Sequence, residues 1–192
     1  MEWTSGYLTM YLGIDTKLNN INHHNYYLGD NYEKYGKSIL EDPNLLDKPY
    51  YYVNVLTRKN LQNAPEGCES LFFVCPVPNL IYKQNWDDRE QIAQSIIDDF
   101  SKKNNIELNK HIVVKEIFTP VEWQNKFNLF KGAGLGLSHN LWQIGAFRPT
   151  NFDEDFKNVF YVGASTVPGA GIPMAVISSK LVTDRILKKL AF

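Results

Sequence analysis

Val162-Gly163-Ala164-Ser165-Thr166-Val167-Pro168-Gly169-Ala170-Gly171-Ile172-Pro173-Met174-Ala175 is the most informative stretch of this sequence. Just before it, Val159-Phe160-Tyr161-Val162 is a short continuous apolar run, the pattern of a strand covered on both faces. After it, the spacing predicts a helix from Ile172 to about Leu190, with Pro173 in the first turn, where a helix tolerates proline. Between strand and helix, side chains almost vanish. A helix start offers N–H groups without intrahelical acceptors and the positive end of its dipole, and no acidic side chain stands near this one. The place suits an electron-rich group on a ligand, which glycine lets the backbone approach closely. It equally suits a tight strand-to-helix turn with no ligand, and the residues alone leave both readings open. Ala175, Ser178 and Ser179 keep the start of the helix slim enough for tight packing.

Val159 to Ser179 carries no charge over about the length of a membrane span. The breakers Gly163, Pro168, Gly169, Gly171 and Pro173 argue against a continuous spanning helix and for strand, turn and helix. Upstream, Arg148-Pro149 opens a polar loop that includes the acidic run Asp153-Glu154-Asp155, and Trp142 to Phe147 is apolar. Lys131 to Ser138 is glycine-rich. Gly132-Ala133-Gly134-Leu135-Gly136 follows no convincing strand and lacks the third glycine of a dinucleotide fingerprint, so it reads as a flexible loop near a substrate.

The earlier part alternates differently. Strands are expected at Tyr7 to Ile14, Asn25 to Leu28, Tyr50 to Leu56, Ser70 to Cys75 and His111 to Phe118, each bounded by turn formers. A short helix is expected over Asn31 to Glu41, stopped by Asp42-Pro43, and a clear amphipathic one over Asp87 to Lys102. In the latter, Ile92, Ile96, Ile97 and Phe100 form one stripe. Thr119-Pro120 reads as the stop of the last of these strands. Strands with inserted helices make this portion α+β.

Composition narrows the function classes. With 20 basic and 21 acidic side chains, no basic excess exists to neutralise a nucleic-acid backbone. Cys68 and Cys75 have no partners at zinc-ligand spacing and read as free thiols in a reducing compartment. His23 and His24, adjacent on a strand, would point to opposite faces, so no metal site is expected. His139 reads as a hydrogen-bonded loop histidine or a proton-transfer group. Arg148 reads as a structural or ligand-adjacent residue or as the partner of Asp153 or Asp155. Of the four tryptophans, only Trp142 sits where an apolar substrate could touch it.

The glycine-rich turn, with Phe147-Arg148-Pro149 before it, resembles the C-terminal signature of the bacterial and fungal phytoene desaturases, in the FAD-dependent amine oxidase-like superfamily. In that family a strand ending in Gly-Ala leads through Pro-Gly-x-Gly-(Ile/Val)-Pro into the last helix, whose start lies near the isoalloxazine and ribityl portion of FAD. Leu137-Ser138-His139-Asn140 through Lys180-Leu181 is similar to the fungal-type branch, and Leu8 to Gly13 with His23-His24-Asn25 is similar to the family's substrate-binding region. The resemblance implies an α/β fold. Residues 1–130 would be part of a substrate-binding domain and 131–192 the C-terminal segment of a Rossmann-like FAD-binding domain. The N-terminal half, which carries the Gly-x-Gly-x-x-Gly fingerprint and the proposed catalytic residues, would be absent or separately encoded.

Carried over residue by residue, the implied FAD contacts are Gly163, Ala164, Gly171, Ile172, Pro173 and Met174. Val167 departs from the pattern, since relatives usually have His there. The implied parent activity is desaturation of a long isoprenoid such as phytoene, in carotenoid biosynthesis. It would belong to an intracellular, peripherally membrane-associated enzyme, and this length of chain alone would be inactive and bind FAD weakly or not at all. A carotenoid isomerase or a retinol saturase-like flavoprotein would share the signature. A non-catalytic fragment or a lipid- or carotenoid-binding module is the reading from a different class.

Overall fold

The structure, a computed structural model, describes residues 1–29, 31–41 and 50–190. The chain divides into two compact units, Ser5–Gly132 and a second formed by Met1–Thr4 with Ala133–Phe192.

Ser5–Gly132 is built on one five-stranded antiparallel sheet. Its strands are β1 (Gly6–Ile14), β2 (His24–Tyr27), β3 (Tyr51–Val55), β4 (Glu69–Val77) and β5 (Ile112–Phe118), in spatial order β2-β3-β4-β1-β5. Period-two alternation sorts the side chains. Leu71, Phe73, Cys75 and Val77 of β4 are buried, and Ser70, Phe72, Val74 and Pro76 point to the other face and are half-buried. Helix α1 spans Tyr32–Glu41; the expected stop at Asp42-Pro43 lies outside the described residues. Helix α2 (Arg89–Asn104) contributes Ile92, Ala93, Ile96, Ile97 and Phe100 to the same apolar core as Leu8, Met10, Val53 and Phe73. The Phe73 and Phe100 rings meet edge to face at 5.2 Å. Asn105, in the left-handed conformation, ends α2 with its N–H on the Lys102 carbonyl.

Among the described residues of this unit, the one fully buried acid has company. Glu69 is fully buried and binds Arg58, while its second oxygen accepts from the Leu18 N–H at 3.2 Å. Arg58 also donates to the carbonyls of Ile21 and Leu18, so the pair ties the loop after β1 to the sheet. Cys75 is buried and Cys68 half-buried, both as free thiols, and burial pushes the Cys75 thiol up to about 12.

In this unit one expectation is extended and one corrected. Thr119-Pro120 does not simply end β5; it starts helix α3 (Pro120–Phe127). The Thr119 side chain accepts from the Val121 N–H, and the Glu122 carboxylate accepts from the Thr119 N–H at 2.7 Å. Gly132, read as part of a flexible loop, is instead tightly packed: a Cβ there would stand 2.4 Å from the Pro120 carbonyl oxygen, with φ at +66°.

The second unit has little regular structure besides helix α4 (Ile172–Leu190), which begins where the sequence places it. The strand expected at Val159 to Val162 is a further correction. Only an isolated bridge, Phe152 to Phe160, forms there, and Tyr161 and Val162 are exposed. A strand exists only through neighbours that satisfy its backbone groups, and the described residues bring no second strand alongside. The mixed helix-and-strand class expected from the sequence therefore stands, with its one sheet antiparallel.

Candidate cofactor turn and aromatic sheet face

The unit that carries the glycine-rich turn is held by polar groups. Among its described residues the buried apolar side chains are Ala133 and Leu137, whereas Gln143, Arg148, Asn151, Thr166 and Ser178 are all buried. The Asn151 side-chain amide nitrogen shares its two N–H donors among the Tyr161 carbonyl (3.1 Å), the Val167 carbonyl (3.0 Å), Thr166 Oγ1 (3.1 Å) and Ser178 Oγ (3.1 Å). Ser178 Oγ in turn accepts from the Gly163 N–H at 3.2 Å. This network fastens the start of the turn to the second turn of α4. Ser178 is thus more than the small packing residue the sequence suggested.

Arg148, only 2% exposed, meets the turn from the other side. Its Nε donates to the Thr166 carbonyl (3.0 Å) and Nη1 to those of Ser138 (3.3 Å) and Gln143 (2.9 Å). Nη2 donates to the carbonyls of Leu137 (3.2 Å) and Ala164. The alternative in which Arg148 pairs with Asp153 or Asp155 is overturned: all its donors go to carbonyls, and Asp153 accepts from the Tyr161 hydroxyl and from its own loop's N–H groups. Burial lowers the Arg148 pKa. His139 accepts at Nε2 from the Ala170 N–H at 3.2 Å. It is the hydrogen-bonded loop histidine of the first reading, with its pKa lowered by burial and by the neighbouring Arg148 charge.

Of the six residues predicted as cofactor contacts, Gly171, Ile172 and Pro173 are exposed, whereas Gly163, Ala164 and Met174 are half-buried, Gly163 and Ala164 being tied into these networks. Gly163 (φ +121°) and Gly171 (φ +116°) adopt backbone conformations that side chains rarely allow. Nothing within 4 Å would meet a Cβ on Gly163, and on Gly171 only Met174 Cγ would, at 4.0 Å. Their glycines are therefore demanded by backbone shape and not by the chain's own packing. Ala175 N–H closes the first helical bond on the Gly171 carbonyl at 2.9 Å, so the N–H groups of Ile172 and Met174 have no acceptor within the helix. The first turn of α4 contains no acidic residue, and Ile172 is 85% exposed. These features fit a flavin, whose electron-rich ring edge backbone N–H groups and a helix start can hold.

In the other unit, the sheet face opposite the apolar core is aromatic. Tyr11 stacks on Phe72 at 5.0 Å and meets Phe118 edge-on at 5.7 Å. Phe118 continues to Trp123 of α3 at 5.5 Å, and Tyr52 lies 5.1 Å from Tyr26. Trp123 was not singled out for function from the sequence. Its link to this face depends on α3, which a Thr-x-x-Glu capping box could have revealed. Trp142 is 77% exposed. A polar cleft of about 740 Å³ between the starts of α2 and α3, bordered by Trp86, Arg89 and Glu122, includes none of the predicted residues.

His23 and His24 are not directed to opposite faces. Their rings meet at 4.2 Å, because His23 sits in the bend before β2 and not on the strand. Among the described residues, no group of three or more His, Cys, Asp or Glu could hold a metal ion, and no helix is long and apolar enough to cross a membrane.

No protein-family model matches the chain. Comparison with curated proteins finds relatives along nearly all of it. A zeta-carotene-forming phytoene desaturase of Myxococcus xanthus is 37% identical over 189 residues, covering 97% of this chain and 36% of the relative. A phytoene desaturase of Fusarium fujikuroi is 32% identical over 212 residues, covering 100% of this chain and 37% of the relative. A 4,4'-diapophytoene desaturase of Staphylococcus aureus is 30% identical over 203 residues, covering 98% and 39%. The chain thus spans just over a third of the length of these relatives.

Proposed function

We propose that this chain, homologous over nearly its whole length to the phytoene and carotenoid desaturases, is the C-terminal third of an FAD-dependent enzyme that desaturates a long isoprenoid. That homology is the observation that carries the reading. In this account the turn after Val162 is the flavin-holding part of a Rossmann-like domain. Gly163 and Ala164 let the cofactor approach the backbone, and Ile172 and Met174 present N–H groups to it. Pro173 keeps the helix start preshaped and takes one donor out of the competition. Bound FAD supplies two-electron redox chemistry, and the protein supplies placement.

The substrate reading rests on the aromatic sheet face. Tyr11, Phe72, Phe118 and Trp123 offer a run of touching rings, with the Lys126 ammonium 4.2 Å over Phe118 at one end, and that apolar area matches a hydrocarbon chain that has nothing to hydrogen-bond. Desaturation takes a hydride from one carbon and a proton from its neighbour, so these residues need only align the polyene and exclude water. An apolar substrate of this kind is delivered from a lipid bilayer, so the enzyme works at a membrane surface.

Feeding phytoene to the full-length polypeptide that carries this chain, and counting hydrogens in the product by mass spectrometry, tests the reaction. Loss of two hydrogens per step is expected. A product of unchanged mass but altered geometry would make it an isomerase, and no conversion with flavin bound would refute the substrate class.

A further inference from the structure

Two guanidinium groups bind backbone carbonyls in different settings: Arg58 is half-buried and Arg148 is buried. Arg58 has a carboxylate partner, the fully buried Glu69. Arg148 is 2% exposed and has none: its five N–H donors end on five carbonyl oxygens, those of Leu137, Ser138, Gln143, Ala164 and Thr166. Five donors on five acceptors saturate the side chain, so it cannot also hydrogen-bond a ligand. A buried cation without an anion is expensive, even when its hydrogen bonds are complete. No neutral side chain supplies five N–H donors, so the bonds and the positive charge come together at this place.

Its position says where the charge is felt. Two of the five carbonyls, Ala164 and Thr166, belong to the glycine-rich turn, and Nε lies 3.6 Å from where a Cβ would stand on Gly169. The nearby helix start adds the positive end of its dipole, and no acidic residue lies in its first turn. The titratable neighbour on the same corner, His139, accepts from the Ala170 N–H and is neutral in that role.

We propose that Arg148 is a positioning residue with two separable effects: its five hydrogen bonds fix the turn that holds the flavin, and its unpaired charge sits behind that turn to favour the reduced, negatively charged cofactor. This rests on the flavin reading above. Hydride transfer from a substrate carbon adds two electrons and one proton to the neutral oxidised ring, which leaves one net negative charge on it. A fixed positive charge close by stabilises that product over the oxidised form and raises the potential.

The experiment compares wild-type full-length flavoprotein with R148K, R148Q and S138D, measuring FAD dissociation and the two-electron midpoint potential. R148K keeps the charge but has three donors for five carbonyls. It is expected to release FAD about tenfold more readily with little change in potential. R148Q loses both, and its potential falls by about 30 mV, equivalent to a tenfold loss of preference for the reduced form. S138D leaves Arg148 in place and adds a negative charge at a residue whose carbonyl Arg148 binds, so a lowered potential is expected. This keeps the charge measurable if R148Q does not fold. Unchanged potentials in R148Q and S138D with FAD bound would overturn the proposal, as would an equal fall in R148K. Wild type without FAD would instead remove the flavin reading on which it rests.

Discussion

The two units solve the same problem with opposite chemistry. Ser5–Gly132 folds around an apolar core in which sheet and α2 interlock through Leu8, Met10, Phe73, Ile96 and Phe100. The unit of Ala133–Phe192 with Met1–Thr4 instead converges on Arg148, Asn151, Thr166 and Ser178, while Leu141, Trp142, Ile172 and Val176 remain exposed. An apolar core is non-directional and tolerant of small shifts; a hydrogen-bonded hub fixes backbone positions one by one. Under the proposed function, the first would be the platform for a hydrocarbon and the second the turn that holds N–H groups toward a cofactor.

The difference can be tested in descending order of effect. Phe100→Ala removes a fully buried ring from the apolar core and is expected to destabilise that unit by about 3–5 kcal/mol in denaturant titrations. A loss below about 1 kcal/mol would mean that α2 is not the keystone described. Gly132→Ala combines a positive φ with a Cβ 2.4 Å from the Pro120 carbonyl oxygen, and a loss of about 2–3 kcal/mol is expected. In the polar unit, Ser178→Ala strips a partner from Asn151 and from the Gly163 N–H. About 1–3 kcal/mol is expected, with faster hydrogen exchange at Gly163 as the distinguishing sign. Unchanged exchange there would show the hub to be incidental.

The smallest effects separate the units by pH. His139 has its folded pKa lowered from 6.5 by burial and by Arg148, so the folded state favours the neutral ring. Its contribution is present above about 6.5 and is lost as pH falls through the folded value; H139Q should flatten that dependence. Glu122 is pushed up by burial, but its bonds to Thr119 and the Arg89 charge outweigh this and hold it below 4.5. Its support of α3 is therefore present above the ordinary carboxylate range and lost under stronger acid, as Trp123 fluorescence would report. If both units loosened in the same pH range, these assignments would be wrong.

How much of this was legible in the sequence follows the same division. The apolar and aromatic runs Tyr7 to Ile14 and Ser70 to Cys75, bounded by turn formers, and the stripe of Ile92, Ile96, Ile97 and Phe100 disclosed the sheet and α2. Thr119-Pro120 does stop β5, and the helix it also opens went unread because proline serves both purposes. Val159 to Val162 misled because a continuous apolar run presupposes a sheet to receive it. Asn151, Thr166 and Ser178 carry no spacing that predicts their meeting, since a polar hub exists only once distant segments converge. The glycine-rich turn itself was legible, because its backbone needs restrict residue choice at each step.

Flavin content tests the account most directly. The full-length polypeptide carrying this chain should purify with one FAD, and Gly171→Leu should lose it, since a bulky side chain would both strain a φ of +116° and fill the approach to the start of α4. Full FAD retention in Gly171→Leu would contradict the assignment of this turn.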